Sequence, residues 1–205
     1  HPWVDRPLAA EQQSGFETVI DTLMQLGATV THLTDDMFDA TAVSGGGYSE
    51  VADVHRGWFG ADPHRYGPAI RERLADVFTL TDVEIEAAAT WRRDLQRAFT
   101  NAFATFDLII TPGTAIRSKH SGIDRIDVGA GPEPYRPAMS WFTPMVNQAG
   151  LPALVLPVEA PNVGGLPPSV QLIGPLWSEG FLLGVGQALD AADVVAHRHP
   201  MQWVR

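Results

Sequence analysis

The stretch from Thr81 to Gly113 constrains the fold more than any other part of the chain. Thr81-Asp82-Val83-Glu84 places a hydroxyl residue three positions before a glutamate. That is a capping box, in which each side chain satisfies a backbone N–H that the first helical turn leaves open. Behind it, Trp91, Leu95, Ala98, Phe99, Ala102, Phe103 and Phe106 recur at helical spacing and predict one long helix to about Thr105. So strong an apolar stripe requires a large partner surface. Asp107-Leu108-Ile109-Ile110-Thr111 follows at once and reads as a strand buried on both faces, closed by Pro112-Gly113. A long amphipathic helix feeding a short apolar strand is the unit of a layered α/β architecture.

The flanking sequence agrees. Phe16, Val19, Ile20, Leu23 and Met24 mark a helix from Leu8 to Leu26, stopped by Gly27. Ala28 to Leu33 then predicts a short strand. Thr34, Asp35 and Asp36 are placed to cap a helix from Met37 to Val43, which Ser44-Gly45-Gly46-Gly47 interrupts. Helices are expected over Tyr48–Phe59 and, opening on Pro68, to about Val77, with a turn at Gly60-Ala61-Asp62-Pro63. Pro112 to Met139 shows no periodicity and predicts a long loop. Pro152–Val158 and Ser169–Ile173 predict two buried strands, and Ser178 is placed to cap a closing helix through Ala192. Nothing divides the 205 residues into separate domains.

Composition removes several function classes. Fourteen basic against 24 acidic residues give a net charge of −10, which disfavours phosphate backbones and anionic lipid, so no nucleic-acid or membrane partner is expected. The chain has no cysteine, so disulfides, thiolate nucleophiles and cysteine-bound zinc are excluded, in keeping with a cytoplasmic setting. No run reaches the ~20 apolar residues of a membrane-spanning helix. His1-Pro2-Trp3-Val4-Asp5 has neither an initiating Met nor the basic-then-apolar order of a signal peptide. The seven histidines, among them the pairs His55/His64 and His197/His199, do not form a metal-binding i, i+4 pair around a glutamate. No Gly-x-Ser-x-Gly elbow is present. Neither a metal nor a cofactor is implied.

Three stretches together resemble the amidase-signature family of amide hydrolases. They are Phe106 to Pro112, Val146-Asn147-Gln148-Ala149-Gly150-Leu151-Pro152 with the apolar run to Pro157, and Gly165-Leu166-Pro167-Pro168-Ser169-Val170-Gln171-Leu172-Ile173-Gly174-Pro175. Their order and spacing, with the helix behind Ser178, carry the resemblance across essentially the whole chain. It implies an α/β/α fold with a mixed central sheet, of which residues 1–205 would be the carboxy-terminal portion of a single domain. It also implies hydrolysis of a carboxamide by two serines and a lysine that lie before the region matched here. The logic is that of nucleophilic catalysis: a hydroxyl activated through a neutral lysine, and an oxyanion held by backbone amides.

This chain offers no replacement for that machinery. Ser44-Gly45-Gly46-Gly47-Tyr48-Ser49 lacks serines paired between glycines. Lys119, the single lysine, sits beside Ser118 in a loop where adjacent side chains do not converge. No catalytic residue is therefore assigned, and a missing amino-terminal half or partner chain is expected to supply them. The resemblance places Pro112, Gly113 and Thr114, with Trp141, Phe142, Thr143 and Val146, on the acyl side of the substrate pocket. Trp141-Phe142 has two readings, an apolar pocket wall suited to an aryl or alkyl amide or core packing. Gln171, polar in a buried strand, requires nearby partners for its amide. In the branch that takes glutamine for transfer-RNA amidation, an aspartate stands where this chain has Ser140, which favours a general amidase over part of a glutamine-dependent transfer-RNA amidotransferase. The competing class is an inactive binding or interaction module. Incomplete cover of the apolar faces of the helix from Trp91 to Phe106 and of Leu154–Leu156 would make the isolated chain marginally stable, or make it aggregate or self-associate.

Overall fold

The computed structural model describes residues 6–33, 48–116, 121–159 and 166–197. The elements run α1 (Ala10–Gln25), α2 (Tyr48–Ala61), α3 (Pro68–Val77), α4 (Asp82–Phe103), β1 (Ile109–Pro112), β2 (Arg125–Asp127), β3 (Pro132–Pro134), α5 (Tyr135–Ser140), α6 (Pro144–Ala149), β4 (Ala153–Pro157), β5 (Ser169–Ile173) and α7 (Glu179–Ala191). A single 3₁₀ turn, Pro63–Arg65, joins α2 to α3, and the Asp62 side chain accepts the His64 N–H at its start.

The main sheet has three strands in the order β1-β5-β4, paired antiparallel throughout. Strand alternation splits its side chains between two apolar layers. Val170 and Leu172 of β5 join Val19 and Leu23 of α1 and Leu182 and Leu189 of α7 on one side. Ile173, with Ile109 of β1, joins Leu95, Phe99, Phe142, Met145 and Val146 of α4 to α6 on the other. Helices therefore cover the sheet on both faces, the α/β/α layering that the resemblance implies.

The capping box forms in full, with Thr81 Oγ1 accepting from Glu84 N–H and the Glu84 carboxylate accepting from Thr81 N–H at 2.8 Å. That backbone donation, reinforced by the Thr81 hydroxyl, holds the exposed Glu84 carboxyl below the ordinary carboxylate range. Leu95, Ala98, Phe99 and Ala102 are buried along the predicted stripe, with Trp91, Phe103 and Phe106 packed at its margins. α6 lies on the α4 stripe and α7 on the Leu154 and Leu156 side of β4, while Val155 on the opposite side stays exposed.

Several expectations are corrected. Residues 28–33 form no strand: a strand needs a neighbour to complete its hydrogen bonds, and among the described residues this segment, exposed except for Leu33 at the core margin, pairs with no strand. The loop from Pro112 to Met139 contains the β2–β3 hairpin and the start of α5. Aperiodic sequence hid these elements because each is only a few residues long. β4 is not a buried strand. It lies at the sheet edge, its residues alternate between exposed and half-buried, and Val155 is 52% exposed. Ser178 sits at the start of α7, yet its hydroxyl donates to the Pro175 carbonyl at 2.7 Å instead of capping the helix. The expected helix at Met37–Val43, the Ser44–Gly47 run, Ser118, Lys119, His199 and Gly165 lie outside the described residues.

No described helix is long and apolar enough to cross a membrane.

Candidate functional site

The site is built at the carboxy-terminal end of β1. Thr111, Gln171 and Val155 form one row across the three strands, on the same face of the sheet. Gln171 is 3% exposed. Its Nε2 donates to Thr111 Oγ1 and to the Phe142 carbonyl, each at 3.0 Å. A carbonyl can only accept, so the contact with Phe142 fixes the amide orientation. Its Oε1 accepts from no group among the described residues. One side chain thus ties the end of β1 to the segment between α5 and α6, and both predicted wall segments hang from it.

A second glutamine, which the sequence reading missed, locks the next turn of chain. Gln12 of α1 is 1% exposed. Its Nε2 donates to Thr114 Oγ1 at 2.6 Å and to the Ile116 carbonyl at 3.1 Å, while its Oε1 accepts the Ser169 N–H at 2.9 Å. The signal was present: Gln12, Phe16, Val19 and Leu23 share one helical stripe, so a polar residue stood among apolar ones. Gly113 N–H donates to the Ser169 carbonyl at 2.8 Å. A Cβ on Gly113 would lie 2.5 Å from Ser169 Oγ and 3.1 Å from its Cβ, so only glycine allows β1 and β5 to close here.

The predicted pocket residues separate into two groups. Phe142 and Val146 are buried within the α4–α6 core, at 0% and 2% exposure. Pro112 and Gly113 are also enclosed, whereas Thr114, Trp141 and Thr143 are half-buried. Trp141 packs at the core margin, and the Arg6 guanidinium lies over its ring, 5.1 Å from the centroid. α6 ends on Gly150 in the left-handed region, φ 73°, which turns the chain sharply through Leu151-Pro152 into β4. Ser140 is exposed, and its hydroxyl donates to the Arg136 carbonyl at 3.0 Å.

Elsewhere the candidates resolve into structural pairs. His55 Nδ1 lies 3.0 Å from the Tyr66 hydroxyl, His64 Nδ1 lies 2.6 Å from an Arg71 guanidinium nitrogen, and His197 meets Asp190 at the exposed end of α7. Among the described residues no three metal-ligating side chains converge. An open concavity of about 650 Å3 is lined by Asp82, Val83, Glu86, Ala87, Thr90, Trp91 and Asp94, all on α4. A single helix furnishes its whole lining, and it contains none of the predicted pocket residues.

The Amidase family model matches residues 4–183. AtzE, one of the subunits of 1-carboxybiuret hydrolase, from Pseudomonas sp. (strain ADP), is 33% identical over 103 residues, 50% of this chain and 22% of that protein. One of the subunits of glutamyl-tRNA(Gln) amidotransferase, from Nitratidesulfovibrio vulgaris (strain DP4), is 37% identical over 112 residues, 54% of this chain and 22% of its own length. The matched segments therefore span about a fifth of the length of these curated relatives. A solved structure of a vestigial protein complex, bearing on the origins of an s-triazine catabolic enzyme, superimposes with a TM-score of 0.86 at 24% identity. That match covers 97% of this chain and 43% of the other. On the match over residues 4–183, this chain belongs to the amidase family.

Proposed function

We propose that residues 1–205 are the carboxy-terminal, pocket-contributing portion of an amidase that hydrolyses a small carboxamide to a carboxylate and ammonia or an amine. The Gln171 bridge carries this reading, because it joins the chain after β1 to the chain before α6 through one buried amide. In this reading Pro112, Gly113, Thr114, Trp141 and Thr143 form the acyl-side wall, and Phe142 and Val146 support it from the core. Half-buried Trp141 suits an aryl or alkyl acyl group. The nucleophile, its base and the oxyanion donors come from polypeptide beyond these residues, and the assembled enzyme works in the cytosol.

The reading is tested by assaying ammonia or amine release from a panel of aryl and alkyl carboxamides, with the protein as its gene encodes it. Turnover is expected there and none from the purified 205-residue chain. Turnover by the 205-residue chain itself would show that the catalytic groups lie within it. A second reading, part of a glutamine-dependent transfer-RNA amidotransferase, rests on the 37% identity to that relative. Glutamine hydrolysis in preference to aryl amides would select it.

A further inference from the structure

Of the two adjacent aromatics before α6, Phe142 is enclosed, whereas Trp141 is only half-buried at the core margin. The Trp141 ring is not bare. The Arg6 guanidinium lies over it, 5.1 Å from the centroid, within the range at which a cation is drawn to an aromatic face.

The chain that carries Arg6 is fastened to both segments of the proposed wall. Ala9 N–H donates to the Ala115 carbonyl at 2.9 Å, and Ala115 N–H donates to the Ala138 carbonyl at 3.3 Å. Leu8 and Ala9 pack against the same apolar cluster as Trp141. Arg6, two residues before Leu8, is itself half-buried. Its charge is therefore held where the segment before α1, the chain after β1 and the end of α5 come together.

This placement changes what the wall selects. A group that reaches the Trp141 ring meets a positioned cation as well as an apolar surface. An arginine stacked through its flat face keeps its N–H donors in the plane of the guanidinium, and that fork matches the two oxygens of a carboxylate. The chain carries a net charge of −10, which repels anions at long range, so an anionic substrate requires a local cation of this kind.

We infer that Arg6, held on Trp141, is a specificity-determining residue that binds a carboxylate on the acyl portion of the amide, and that the preferred substrates are monoamides of dicarboxylic acids. Hydrolysis then adds water across the C–N bond and releases a dicarboxylate and ammonia. The inference deepens the proposed function and rests on its placement of Trp141 in the acyl-side wall.

The test compares each monoamide with the neutral diamide of the same shape, in the protein as its gene encodes it. The pairs are succinamate with succinamide, and 4-carbamoylbenzoate with terephthalamide. The kcat/KM ratio of anionic to neutral substrate is expected to be at least about ten in the wild type and to fall about tenfold or more in Arg6→Gln. Arg6→Lys, which keeps the charge and loses the fork, should retain part of the preference. Arg136→Gln, at an exposed cation on α5, is the reference and should leave the ratio unchanged. A wild-type ratio near one, or a ratio that Arg6→Gln does not lower, would overturn the assignment. An equal fall in Arg136→Gln would also overturn it, since general surface charge would then account for the preference. Calorimetric titration with terephthalate separates this claim from the catalytic reading. Binding that depends on Arg6, without turnover of any amide, removes the catalytic reading alone. Turnover with no dependence on Arg6 in rate or binding removes the carboxylate site alone, and absence of both removes both.

Discussion

At the scale of single residues, the wall of the candidate site depends on two glutamines and a glycine. Gln171→Leu keeps the volume but leaves the Phe142 carbonyl and Thr111 hydroxyl without their donor. A loss of about 1–3 kcal/mol is expected in denaturant unfolding. Gln12→Leu removes three contacts from one residue and strands the Ser169 N–H, while the Ile116 carbonyl keeps only its Thr114 hydroxyl donor. A comparable loss is expected, with faster hydrogen exchange at Ser169. Gly113→Ala forces a methyl group to within 2.5 Å of Ser169 Oγ. The Ser169 side chain or the strand must shift, at about 1–3 kcal/mol. The double variant Gly113→Ala/Ser169→Gly should recover part of that loss, and absence of recovery would place the strain elsewhere.

At the scale of elements, α4 is specified locally. Thr81→Ala removes the cap and should cost about 1 kcal/mol in thermal or denaturant unfolding. The lowered Glu84 carboxyl adds a pH dependence. Its folded value lies below its unfolded one, so its stabilisation is complete above the ordinary glutamate range and disappears as pH falls through the lowered value. Glu84→Gln should flatten the acid limb of the stability profile relative to wild type; an unchanged limb would exclude the cap as its source. α7 presents the opposite case. Its sequence places Ser178 where a cap belongs, but the hydroxyl turns back to Pro175, and Trp177 before it adopts a positive φ of 66°. Packing of Leu182 and Leu189 against the sheet fixes this helix in place of its cap.

At the scale of the whole molecule, the described surface retains large apolar side chains: Trp177 is 89% exposed, Leu183 59% and Val155 52%. The isolated 205-residue chain should self-associate or precipitate, as size-exclusion chromatography with light scattering would reveal. A clean, stable monomer would count against it. What the sequence determined by itself was local: the capping box, the stripe of α4, the limits of α3 and the pairing-competent apolar runs, each written in contiguous residues by propensity and period. The tertiary structure decided what depends on neighbours distant along the chain. Residues 28–33 carry three β-branched side chains and β4 only one, yet among the described residues only β4 meets a partner strand. Phe142 and Trp141 are adjacent aromatics, yet only Phe142 falls inside the core. Gln12 and Ser169 are 157 positions apart and meet only because α1 lies across β5. Burial and hydrogen-bond partnership are properties of the surroundings, and those surroundings exist only once the layers have packed.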